Sequence, residues 1–258
     1  MTGRLLIEHD DGVDRVTLNR PDALNALDPS LIDALNTYFE GLQRNRSTRV
    51  VVLRGAGASF CAGLDLKHAM KRRAGQQEPP GVTESLDSQR RIADIVMLMR
   101  RCPQPIIALI QGAAAGGGFA LALAADIRIA TKSARMNCAF IKLGLGGCDI
   151  GTSYFLPRLV GVSVASELIL TGRFIGAERA FAVAIMGCRR PRTPCRGNPR
   201  VASGHIYASA PVPSPIFGAR TAPPAYRPDR RRQRRPPCSA RAAQDRASTA
   251  APSRSSPR

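Results

Sequence analysis

The chain has 258 residues, 44% of them hydrophobic, and a net charge of +19, enough apolar content for one large α/β core or two small ones. The charge is uneven: residues 188–258 hold 16 Arg against Asp229 and Asp245, a net +14, together with 13 of the 20 prolines and no leucine, a composition that excludes a packed core there and predicts disorder. No apolar stretch is expected to span a membrane, and seven cysteines without paired or metal-ligand spacing, in a chain with no signal peptide, predict reduced thiols in a cytoplasmic protein with no metal site.

Leu5 to Glu8 and Val13 to Leu18 read as an antiparallel hairpin around the Asp10-Asp11-Gly12 turn. A helix follows, capped by Asp28 with Pro29 in its first turn, and Leu31, Ile32, Leu35, Tyr38, Phe39 and Leu42 form its apolar face. Val50 to Leu53 is a continuous β-branched run, the pattern of a central strand covered on both faces. Residues 71–82 predict a polar loop. After it, Leu86, Ile92, Ile95, Val96 and Met99 mark a helix that ends at Pro103 and Pro105. Ile106 to Ile110 is the next strand, running through Gly112 into the triplet Gly116-Gly117-Gly118 and an apolar helix over 119–125. A strand at Ile127 to Ala130 and helices at Gly151 to Leu159 and Ala165 to Leu170 complete an α/β pattern with crossover connections. Cys61, Cys102 and Cys138 are expected to be small buried side chains. His9 and His68 have no evident carboxylate or nucleophile beside them, Asp126 reads as structural, and Glu167 and Glu178 as solvated.

Two backbone-rich turns follow buried strands, one at Phe60 to Lys67 and one at the glycine triplet. A loop that brings bare N–H groups to a helix start can receive a carbonyl oxygen gathering negative charge, although glycine triplets also serve tight turns and close helix packing. The segments Asn19-Arg20-Pro21-Asp22-Ala23-Leu24-Asn25-Ala26-Leu27, Phe60 to Lys67 and Gly112 to Asp126 resemble, in that order, the enoyl-CoA hydratase/isomerase (crotonase) family. The resemblance continues through Leu143-Gly144, Leu156 to Gly161 and Leu170 to Arg173, covering nearly all of residues 4–187. It implies a crotonase (ClpP-like) spiral of ββα units that ends early: an acyl-CoA-binding core at 1–187 and a basic tail at 188–258. It also implies action on an enoyl-CoA in fatty-acid or related metabolism, with coenzyme A as part of the substrate and no separate cofactor. The thioester oxygen would sit between the peptide N–H groups of Leu64 and Gly117. Ala23, Leu24 and Leu64 through Lys67 would line the coenzyme A, with Lys67 able to meet a phosphate or else remain a solvated lysine.

The departures carry as much information as the matches. The family's hydratases use two glutamates; this chain has Ala120 and Phe140 at those positions, and neither can transfer a proton. Asp149, eight residues before Pro157, matches the acid of the dienoyl-CoA isomerase members, and a similar placement serves the 4-chlorobenzoyl-CoA dehalogenases as nucleophile. It is the candidate catalytic acid/base, raised in pKa if it faces a dry pocket, or else a cap for the following helix. The dehalogenase histidine and tryptophan have no counterpart, and an aspartyl ester route remains the alternative.

Family members go on with an alanine-rich helix, a strand and closing helices that pack a homotrimer or hexamer. Here the pattern stops at Met186-Gly187-Cys188, so that assembly is in question. The switch to Arg, Pro, Ala and Ser is what a G+C-rich gene read out of frame would produce, and we expect a frameshift near codon 187. The rival is a genuine arm binding nucleic acid nonspecifically through Arg230 to Arg235. Tyr207, Phe217 and Tyr226 are too sparse to stack bases, which argues against that partner.

Overall fold

A computed structural model describes residues 3–75, 80–147, 149–186 and 188–189, and for 72, 73, 149, 188 and 189 the backbone alone. The disorder, frameshift and basic arm expected beyond 189 lie outside the described residues. Leu5–Asp10 (β1) pairs antiparallel with Val13–Leu18 (β2), turned by Asp11 and Gly12, both at positive φ. Pro29–Leu42 (α1) starts where expected, its cap Asp28 accepting the Leu31 N–H at 2.8 Å, and it buries Leu31, Ile32, Leu35, Phe39 and Leu42. Val50–Gly55 (β3) is an inner strand with all but Arg54 buried. The expected loop from 71 is instead helical as far as Ala74, in Leu66–Ala74 (α2). Asp65 accepts the His68 N–H at 2.9 Å, and the long polar side chains of this stretch lose little in an exposed helix, so the absence of an apolar face did not prevent it.

Val82–Arg101 (α3) ends at Cys102, before Pro103, and leads into Ile106–Ile110 (β4). Ala113–Ala115 (β5), Gly117–Ala124 (α4), Ile127–Ala130 (β6) and Arg135–Asn137 (β7) follow. Thr152–Thr171 (α5) joins the two helices expected there, but Gly161 is non-helical (φ 78°, ψ 162°), so the break between them is real. By length and mean hydropathy, 1.3, α5 could cross a membrane, contrary to the expectation that no segment could. Split at Gly161, neither piece exceeds about 15 Å, half of what a bilayer core requires. Ile175–Gly176 (β8), Ala177–Ala182 (α6) and Cys188–Arg189 (β9) complete the described chain.

The strands form a six-stranded sheet, β1-β2-β3-β4-β6-β9, parallel from β2 onward, and a small sheet, β5-β7-β8. The small sheet was not foreseen; its strands of two or three residues are too short to show a period of two. The main core gathers Leu18, Leu31, Phe39, Leu53, Ile106 and Phe119 among its largest fully buried side chains. Cys61, Cys102 and Cys138 are buried as expected, and burial pushes the thiols of Cys61 and Cys138 up to about 12.

Two expectations about polar groups fail. His9 does have a carboxylate beside it: the hairpin register places Asp14 opposite, with Nδ1 to Oδ1 at 2.6 Å, and buried Asp14 also accepts from Tyr38 and Thr48. This cluster ties the hairpin to α1. Glu167 is half-buried rather than solvated, because the turn after α5 brings Arg173 and Arg179 onto it. Asp126 is structural, accepting the Ile106 N–H at 2.9 Å. Arg128 holds the end of the core together: its buried guanidinium donates to Ile185 O at 2.7 Å and to Leu123 O and Ala125 O at the end of α4. Burial lowers its pKa. Arg128→Met is expected to leave three carbonyls without this donor and to cost about 3 kcal/mol in urea unfolding; an unchanged midpoint would refute that role.

Candidate active site

The site is assembled from three backbone turns. The first follows β2: a single helical turn at Pro21–Ala23, then Leu24 and Asn25, both left-handed at φ 50° and 57°. Asparagine tolerates that conformation. Its buried side chain locks the turn, donating to Ala56 O at 2.9 Å and Ser59 O at 2.8 Å and accepting the Arg20 N–H at 2.9 Å. Ala23 is half-buried and Leu24 exposed.

The second turn carries residues 61–65. Cys61 bridges to Ala114 of β5, and Leu27 bridges to Leu64. In the latter bridge Leu27 donates to Gly63 O at 2.7 Å and accepts from Asp65 N at 3.0 Å. Because Leu27 engages the residues on either side of Leu64, the Leu64 N–H points away from Leu27. Gly63 has φ +92°, and a Cβ placed on it would lie 2.7 Å from Ala115 O and 3.3 Å from the Gly117 nitrogen. The turn before Leu64 therefore abuts the glycine triplet.

The third turn is the triplet itself. Gly116 adopts φ 49°, ψ −116°, a conformation open to glycine, and its N–H goes to Asn137 O at 3.0 Å. Gly117 opens α4, so its N–H has no intrahelical acceptor. A Cβ on Gly117 would meet the side chains of Leu27 and Ile150 at 3.2 and 3.3 Å, whereas one on Gly118 would lie 2.1 Å from Cys61 O. Close backbone packing thus rests on Gly118, whereas Gly117 is bordered by the ends of flexible side chains.

A cleft of about 320 Å3 lies beside Leu64, between the start of α1, α2 and the first half of α3. Leu27, Ile32, Leu64, Ala69 and Ile92 make it apolar; Asp65 and His68 stand at its polar side. Leu66 and Lys67 are exposed in the first turn of α2. The Asp65 carboxyl is held below the usual carboxylate range, first by the His68 N–H it accepts and then by Arg20.

Ala120 is buried in α4 and Phe140 is buried beside Gly116, its ring 3.9 Å from where a Gly116 Cβ would stand. The turn containing Asp149, residues 149–151, is brought to Gly117 by Ile150, which is left-handed at φ 40°. The Asp149 side chain lies outside the described residues. The hydroxyl of Thr152, fully buried just after this turn, has no hydrogen-bond partner among the described residues. Arg20 and Asn25 are site-building residues that sequence reasoning missed; their signal was a polar pair inside an otherwise loop-like motif.

The enoyl-CoA hydratase/isomerase family model matches residues 8–192. Over 177 residues the chain is 40% identical to the probable enoyl-CoA hydratase EchA12 of Mycobacterium leprae, covering 67% of this chain and 59% of that protein. It is 32% identical to 4-chlorobenzoyl coenzyme A dehalogenase-2 of an Arthrobacter species, covering 68% and 62%. The crystal structure of an enoyl-CoA hydratase from Bacillus anthracis superposes with a TM-score of 0.67 at 32% identity, over 80% of this chain and 74% of that one. The chain thus spans less than two thirds of the length of those two relatives.

Proposed function

Because the chain belongs to the enoyl-CoA hydratase/isomerase family, we propose that it binds an acyl-CoA thioester and stabilises the enolate through the N–H groups of Leu64 and Gly117. The observation that carries this reading is the apposition of the Gly63 turn and Gly117, a Cβ at 63 falling 3.3 Å from the Gly117 nitrogen. Donors fixed in this way gain strength as charge moves onto the carbonyl oxygen, by about 3 kcal/mol each. The apolar cleft beside Leu64 takes the acyl chain, while Ala23, Leu24 and Leu64 to Lys67 line the coenzyme A, Lys67 toward a phosphate.

With Ala120 and Phe140 at the two carboxylate positions, the paired-carboxylate addition of water has no acid or base. Asp149 is then the single proton carrier: it removes a proton from the carbon next to the thioester, the enolate forms, and the same carboxyl returns the proton further along the chain. Isomerisation is thus favoured over hydration. Asp149→Asn is expected to slow isomerisation of an enoyl-CoA by about 100-fold or more while leaving thioester affinity unchanged. Equal rates in the two proteins would remove Asp149 from the mechanism.

The likeness to a dehalogenase favours a second reading, in which the Asp149 carboxylate attacks a haloaryl carbon and expels halide to form an aryl ester, or attacks the thioester carbonyl and expels the coenzyme A thiolate to form a mixed anhydride, water then releasing the product. Mass spectrometry of the protein after substrate addition separates the two, since only the second gives a covalent adduct that is absent from Asp149→Asn.

A further inference from the structure

Arg20 carries no role in the reading above, yet its side chain is only 11% exposed and meets three acceptors. Nη2 lies 2.8 Å from Asp65 Oδ2, Nη1 donates to Ala26 O, and Nε lies 3.2 Å from Asp28 Oδ2 without a hydrogen-bond angle. Each carboxylate is already committed on its other oxygen. Asp28 Oδ1 caps α1 through Leu31 N, and Asp65 Oδ1 caps α2 through His68 N. Between the two carboxylates runs the bridge in which Leu27 bonds to Gly63 O and Asp65 N, the contact that turns the Leu64 N–H outward.

We propose that Arg20 is a positioning residue for the thioester site: by clamping Asp28 to Asp65 across the Leu27–Leu64 bridge, it sets the direction in which the Leu64 amide points. This rests on the oxyanion reading above. The geometry calls for a guanidinium, because one planar group reaches two carboxylates and a carbonyl, and the compact ammonium of lysine cannot span all three. Arg20 also neutralises two largely buried carboxylates behind the site. Without it, Asp65 would lose its guanidinium partner beside a developing enolate and Asp28 would keep only the more distant Arg4, at 3.7 Å.

The test uses the full chain and a non-reactive acyl-CoA analogue with an isotope-labelled thioester carbonyl, read by difference infrared spectroscopy. In the wild type the bound carbonyl stretch falls below that of the free ligand. In Arg20→Lys, shown to be folded by circular dichroism, affinity for free coenzyme A is retained within about twofold. The carbonyl shift shrinks by about half or more, and kcat falls about tenfold or more with KM little changed. Asp65→Asn, which keeps an oxygen for His68 N but weakens the clamp, gives a smaller change in the same direction and stands in if Arg20→Lys fails to fold. A full carbonyl shift in the folded variants overturns the role of Arg20. No shift in the wild type means instead that the oxyanion reading has failed, and the role of Arg20 falls with it.

Discussion

Gly118→Ala is expected to disrupt the core, while Gly117→Ala is expected to leave a folded protein that no longer binds a thioester productively. A methyl group at 118 would stand 2.1 Å from Cys61 O and 2.7 Å from its carbonyl carbon, backbone atoms held by the bridge to β5. No rotamer change relieves that overlap, so α4 must move off the strand, at a cost of about 3 kcal/mol, the upper end for overpacking. At 117 the nearest atoms are the ends of Leu27 and Ile150, which can yield by a few tenths of an ångström at a cost of about 1 kcal/mol. On the oxyanion reading proposed above, the methyl would crowd the thioester oxygen that the Gly117 N–H is to receive. Urea unfolding together with calorimetric titration of an acyl-CoA distinguishes the two variants. If Gly117→Ala unfolds as readily as Gly118→Ala, or binds thioester as the wild type does, the division of labour between the two glycines is wrong.

The second large effect is at Asn25. Asn25→Asp keeps the shape but replaces a donor amide with a carboxylate oxygen 2.8–2.9 Å from Ser59 O and Ala56 O, at a residue with no exposed surface. Two hydrogen bonds become two repulsions, and the expected loss is about 4 kcal/mol, typical of an uncompensated buried charge. The sign with pH is definite. Burial against carbonyls raises the new carboxyl's folded-state pKa, so lowering the pH protonates it preferentially in the folded state and the deficit shrinks. Denaturant melts at neutral and acidic pH test both the size and the direction; a deficit that grows in acid would show that the side chain does not face those carbonyls.

Much of the fold was legible before any coordinates. Strands and helices with a full apolar period, such as Pro29–Leu42 and Val50–Gly55, stand where periodicity placed them, and the break at Gly161 was visible as a gap between two helical patterns. The failures share a cause. Strands β5, β7 and β8 are too short to carry a period, α2 is a helix without an apolar face, and the His9–Asp14 and Glu167–Arg179 pairs join residues that the folded chain brings together.

By itself the sequence determined the order of the strands and helices that carry a full apolar period, and the glycine turns, because each of these follows from residue type and local spacing. Tertiary structure alone decided that Gly118 packs against backbone while Gly117 meets only the ends of side chains and the Gly63 turn, and that Arg20 reaches Asp65 across 45 positions of the chain. Residue type limits what a backbone can do locally. Which donor meets which carbonyl depends on segments far apart in sequence being brought into direct contact, with donor and acceptor about 2.8 Å apart, and that is a property of the packed core.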